Sequence, residues 1–219
     1  MGVTGSKPFA LVLAVLCAGC AYSPVAYMLR EHGTQSSVAA FQVCRNYSCA
    51  VRVDVSLNDE EWGRVRALFA LAPARSARPT QMPSSQGASE ERERIRQAVA
   101  LIETLVGPKA GTQNDKAGAA IISFNREGQL DCIDEAYNTS IYLRLLAQDA
   151  LLQWHTVGMP ARRGSFFDSW PHNTATIVAR GSGARYTVDS WFGRNGALPD
   201  VVPLQVWLDG WHPPAVPPI

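Results

Sequence analysis

The 219-residue chain has almost no charge imbalance: 20 Lys and Arg against 19 Asp and Glu leave +1. It also has no basic run interleaved with aromatics, so a nucleic-acid partner is not expected. Long apolar runs are scarce as well. The stretch Phe9 to Leu16 falls well short of the roughly 20 residues a membrane-spanning helix needs. Histidine is limited to His32, His155, His172 and His212, which narrows any choice of general base. No HExxH occurs, and no CxxC follows Cys20, so neither a metal centre nor another cofactor is expected. Internal repeats and low-complexity blocks are missing too.

What is there begins with a short leader. One basic residue, Lys7, precedes the apolar run, and small residues lead to Cys20, which is the layout of a secretory signal over residues 1–19. The stretch LCAGC resembles a bacterial lipobox. That resemblance implies cleavage before Cys20, a lipid on its thiol and anchoring to the bilayer without spanning it. A plain cleaved signal or an uncleaved apolar anchor is the alternative. With Ala21 and not Asp following the cysteine, the implied address is the bacterial outer membrane, facing the periplasm. The remainder is globular in composition, since the chain is 47% hydrophobic and 18% charged.

Of the five cysteines, Cys17 leaves with the signal and Cys20 is assigned to lipid. Cys44 and Cys49 lie close together in a chain bound for an oxidising compartment, where a short disulfide is expected ahead of free thiols. Cys132 is left alone. It is a buried inert thiol, a metal ligand or a nucleophile.

Residues 20–38 read as a polar tether, 39–128 as an N-terminal α/β extension and 129–219 as the core. Val51, Val53 and Val55 alternate as in a strand. A helix follows with Asn58 or Ser56 as its cap and an apolar stripe of Trp62, Val65, Leu68 and Phe69. Arg75 to Ser89 is expected to be a loop. A second helix carries Ile95, Val99, Ile102 and Val106 at helical spacing, and Gly107-Pro108 is expected to stop it. The tail WHPPAVPPI is expected to be extended.

Cys132 opens a third helix, with Asp131 as its cap. Cys132, Ala136, Thr139, Leu143, Leu146, Ala147 and Ala150 fall on one side, expected to be buried. Asp134, Asn138, Gln148 and Asp149 fall on the other, with Glu135 at the boundary. Free cysteine is commonly a core residue, whereas a helix N-terminus favours thiolate. Position alone leaves both readings open.

Further on, Asn173 to Ala179 and Arg185 to Phe192 are extended runs around Gly181-Ser182-Gly183, the pattern of a β-hairpin. His172 begins the first run and Asp189 lies late in the second. If Arg180 pairs with Gly183 across a two-residue turn, His172 falls opposite Trp191 and Asp189 is its diagonal neighbour on the same face. A three-residue turn puts them on opposite faces. The turn sequence allows either. His155 and His212 read as core or surface histidines, and Trp170, Trp191, Trp207 and Trp211 as core and cleft wall.

In that order, Cys132 at a helix start, GMPAR over Gly158–Arg162, His172 opening a strand and Asp189 in YTVDSW resemble the core of the transglutaminase-like, papain-related superfamily. The resemblance covers residues 129 to about 192. It implies an α+β fold with the nucleophile-bearing helix packed on an antiparallel sheet. It also implies Cys132 as nucleophile, His172 as base and Asp189 as orienter in acyl transfer through a thioester, on a peptide or protein amide substrate. Many members carry Trp soon after the His, where this chain reads HNTA, and Pro after the Asp, where it has Ser190. Cys132 N–H is the natural first oxyanion donor, with Gln129 or a Trp indole as second. The alternative is an envelope lipoprotein using the same fold as a non-catalytic binding or assembly module.

Overall fold

In the computed structural model, residues 23–33, 35–70, 85–119, 127–165 and 169–214 are described. The signal, Cys20, most of the Arg75–Ser89 loop and the final five residues lie outside them, as does the side chain of Trp170. The chain is mixed α+β with antiparallel sheets. Its centre is α4 (Cys132–Gln148), which packs against the longest strand, β5 (Ser169–Ala179). Antiparallel partners of β5 are β3 (His155–Val157), β4 (Ala161–Ser165) and β6 (Arg185–Val188). Ala175 and Ile177 of β5 and Val188 of β6 meet Ala136, Ile141 and Leu145 of α4 in one apolar cluster.

A two-stranded hairpin of β1 (Phe41–Arg45) and β2 (Val51–Val55) covers another side of α4. Helices α2 (Asp59–Ala70) and α3 (Ser85–Ala110) add Trp62, Val65, Ile95 and Ile102 to the same cluster. Residues from 39–128 and from 129–219 thus share one core. Asn58 caps α2: its side chain accepts from Glu61 N–H at 2.8 Å, and the Glu61 carboxylate accepts from Asn58 N–H at 2.9 Å. No helix among the described residues is long and apolar enough to cross a membrane.

Three expectations change. The stretch read as a tether contains α1 (Pro24–Glu31), which is docked on α4 through buried Val25 and Leu29. Its last carbonyls are closed by Arg144 of α4, which donates to Leu29 O and Gly33 O. Helix α3 starts at Ser85, inside the expected loop, and runs past Gly107 with Pro108 in its final turns. A proline near a helix end forfeits only one backbone bond. The chain turns instead at Gly111, whose φ of +73° suits glycine.

The third change concerns α4. Asp134, Glu135 and Asn138 are buried, whereas Ala147 and Ala150 are exposed. The polar side of this helix is covered by other elements that satisfy it. Asn138 brackets the Cys44 backbone, accepting from its N–H at 2.7 Å and donating to its carbonyl at 2.9 Å. In the hairpin, Ala175 sits opposite Val188 and Val178 opposite Arg185. That is the two-residue-turn register, and it puts His172 and Asp189 on one face.

Candidate active site

The start of α4 is held by two carboxylates. Asp131 caps it, its Oδ1 accepting from Ile133 and Asp134 N–H at 3.0 Å each, and Asp134 accepts from Asp131 N–H at 3.2 Å. Both acids also take bonds from the 46–49 turn. Tyr47 and Cys49 N–H donate to Asp134 at 2.8 and 2.7 Å, and Ser48 N–H donates to Asp131 at 2.9 Å. Residues Asn46 to Cys49 are all left-handed, with φ between 54° and 68°. Such backbone costs about 1–2 kcal/mol per non-glycine residue, and here it is closed by the Cys44–Cys49 disulfide. Burial and the neighbouring Asp131 charge push Asp134 up to about 8, against those N–H bonds.

Cys132, half-buried, is the free cysteine of the described residues. Its thiol donates to Pro171 O at 3.8 Å, and its sulfur accepts from Asn173 Nδ2 at 3.7 Å. Pro171 and Asn173 are the two residues flanking His172. Burial, and after it the Asp131 charge, pushes the thiol up to about 11, with the Asn173 bonds acting the other way. Burial first, and the capping carboxylate after it, thus work against the thiolate that a helix N-terminus favours.

His172 Nε2 lies 2.8 Å from Asp189 Oδ2. The same oxygen accepts from Trp207 Nε1–H at 2.8 Å, while Oδ1 accepts weakly from Trp191 N–H at 3.4 Å. Asp189 follows the end of β6 and is fixed by an antiparallel bridge to Asp200. Trp191, Phe192 and Trp207 surround the imidazole, with ring centroids 4.7, 5.2 and 5.4 Å away. Trp207 belongs to the short helix α5 (Leu204–Leu208) and is fully buried. It is braced by Arg163, which donates to its carbonyl and lies 4.4 Å over its ring. His172 Nδ1 is buried and has no hydrogen-bond partner among the described residues. Cys132 and His172 are not hydrogen-bonded to each other; the contacts of the sulfur are to the residues on either side of the histidine.

GMPAR joins β3 to β4. Gly158 passes so close to β5 that a Cβ there would run into Thr176 Oγ1, and Thr176 donates to Met159 O at 2.8 Å. Below the aspartate, Ser190 Oγ lies 3.2 Å from Thr139 Oγ1 and also bonds Glu103, which accepts from Gly196 N–H at 3.0 Å. Burial raises Glu103 and Asp115 to about 7, and it raises Glu135 well above the usual carboxylate range. Sequence reading missed Glu103 and Asp115, and put Glu135 only at the boundary of its helix face. Glu103 stands between helical core positions like any surface glutamate, and only its bonds to non-local groups mark it.

Outside this region, His155 is a core residue whose Nδ1 faces Glu91 of α3 at 3.1 Å. His32 ends α1, and the ring of His212 meets Phe192 edge-on at 5.9 Å. Cys44, Cys49 and Asp134 bring ligand-type atoms within 4.8 Å of one another. The two sulfurs are consumed by the disulfide and the carboxylate by N–H bonds, so this group does not suit a metal ion. Comparison with protein-family models, with curated proteins and with solved structures finds no match to this chain.

Proposed function

We propose that this chain is a cysteine acyl-transfer enzyme of the transglutaminase-like kind, an amidase or protease if water resolves the thioester and a transglutaminase if an amine does. Cys132 is the nucleophile, His172 the base and Asp189 the orienter. In this reading the protein is anchored to the bacterial envelope through lipid on Cys20 and takes a peptide or protein amide as substrate. One observation carries it: His172 is bound to Asp189 through Nε2, its Nδ1 is buried with no hydrogen-bond partner among the described residues, and the residues on either side of it, Pro171 and Asn173, touch Cys132. A neutral imidazole donating from Nε2 has its lone pair on Nδ1, which is the tautomer a base needs.

Cys132 and His172 are not hydrogen-bonded at rest, and this reading needs no preformed thiolate–imidazolium pair. In this reading the thiol passes its proton to His172 as sulfur attacks the acyl carbon. The imidazolium then protonates the leaving group, and a thioester remains on Cys132.

Alkylation of Cys132 with iodoacetamide across pH, with and without His172→Ala, tests the base. A drop of at least about tenfold near neutral pH on removing His172 is expected. Cys132→Ala is expected to abolish acyl transfer with little loss of folded stability, since the residue is only partly buried and the substitution removes a single sulfur. Full activity in that variant ends the mechanism.

The missing Cys132–His172 bond and the raised thiol favour a second reading, a non-catalytic envelope module using the same fold to bind or assemble. Slow alkylation indifferent to His172 supports that reading against the first.

A further inference from the structure

Acyl transfer needs two donors on the developing oxyanion. The first is at hand, since the cap of α4 takes the Ile133 and Asp134 amides and not that of Cys132. Three of the expected second donors are committed elsewhere. Gln129 Nε2 donates to Asn114 O at 3.1 Å, Trp191 Nε1 to Ala119 O at 3.0 Å and Trp207 Nε1 to Asp189 at 2.8 Å.

Asn173 is differently placed. It lies on β5 beside His172 and is 3% exposed, and its Nδ2 points at the Cys132 sulfur. Its Oδ1 accepts from Ser23 Oγ at 3.1 Å, which fixes the amide with the N–H side toward the sulfur. Ser23 is the N-cap residue of α1, yet its hydroxyl makes no bond to its own helix. A serine in that position ordinarily stabilises its helix by about 1 kcal/mol. Here the hydroxyl is turned to Asn173 instead, across 150 residues of chain.

We propose that Asn173 is a catalytic residue, the second oxyanion donor of the Cys132 site, held in its working orientation by Ser23. The inference rests on the acyl-transfer reading above. When sulfur bonds the acyl carbon, the C=O π pair moves to oxygen, and that oxygen forms within about 3 Å of the sulfur, where an amide on Sγ can reach it. Asn173 Nδ2–H and Cys132 N–H then hold the oxyanion. Its collapse expels the leaving group, protonated by His172, and leaves the thioester.

The test compares two reactions at one sulfur in the purified full chain. Acetylation by p-nitrophenyl acetate passes through an oxyanion, whereas alkylation by iodoacetamide does not. Asn173→Ala is expected to slow acetylation of Cys132 about 10²–10³-fold while changing alkylation less than about threefold. Ser23→Ala, which keeps the amide but frees it, is expected to slow acetylation about tenfold. It also carries the test if the Asn173 variant does not fold. Parallel falls in both reactions, or unchanged acetylation, overturn the proposal while leaving the nucleophile intact. Wild-type Cys132 acetylating no faster than an ordinary thiol sinks the acyl-transfer reading itself, and the oxyanion role with it.

Discussion

Trp207 and His172 meet on one carboxylate oxygen: indole Nε1 and imidazole Nε2 each lie 2.8 Å from Asp189 Oδ2. The aspartate is therefore set by a buried donor from α5 before it sets the histidine. Asp189→Asn keeps an acceptor oxygen for both groups but removes the charge that stabilises imidazolium. Acyl transfer is expected to fall by about two orders of magnitude or more, with binding of an unreactive substrate analogue little changed. Trp207→Phe keeps an aromatic ring and removes the N–H; a fall of about tenfold is expected. Unchanged rates in both variants, followed by the p-nitrophenolate burst, would show the pair to be structural only.

The buried acids predict how stability responds to pH. Unfolded, Glu103 and Asp115 titrate near the ordinary carboxyl values of about 4; folded, burial holds both at about 7. Between those values the folded chain binds protons that the unfolded chain has released, so stability declines as pH rises toward and through 7. The melting midpoint is expected to be several degrees higher at pH 5.5 than at pH 8. Glu103→Gln, which cannot titrate, is expected to flatten that slope. A midpoint that rises with pH in circular-dichroism melts would contradict protonated acids in the core.

The Cys44–Cys49 bond closes a turn whose backbone is left-handed at four successive residues. Loop entropy alone assigns the bond about 2 kcal/mol, and release of the turn also takes three N–H donors from Asp131 and Asp134. Reduction, or Cys44→Ser with Cys49→Ser, is expected to lower the melting midpoint. Exchange of the Tyr47 and Cys49 amides is expected to speed up well before the rest of α4 loosens. Amide protection unchanged on reduction would mean that the turn holds itself.

Glu91 is a staple of the fold. Its carboxylate accepts from the N–H groups of Gln153, Trp154 and His155, at 2.7, 2.7 and 3.0 Å, as well as facing the His155 ring. Glu91→Ala leaves several buried donors unpaired, and a loss of about 3–5 kcal/mol is expected in denaturant unfolding. Glu91→Gln keeps one of the two acceptor oxygens and is expected to cost less. Equal costs would point to the charge, and not the hydrogen bonds, as the stabilising feature.

Local pattern was enough for several elements. Asp131 before Cys132, the Val51–Val55 alternation, the cap of α2 and the hairpin around Gly181–Gly183 were legible because caps, turns and alternation act within a few residues. Pattern failed where a distant partner decided the outcome. Asp134 and Asn138 looked exposed on a helical wheel, yet the 46–49 turn and the Cys44 backbone cover and satisfy them. Ser23 and Val25 looked like tether, yet α1 docks on α4.

The sequence by itself determined where the thiol begins a helix and which residues can pair with an imidazole, since those depend on residue type and short-range spacing. Tertiary structure alone decided the hairpin register, the diversion of Ser23 to Asn173 and the rise of the Cys132 thiol. Each of these rests on backbone pairing, hydrogen bonds or burial that form only in the folded chain, and periodicity carries no record of them.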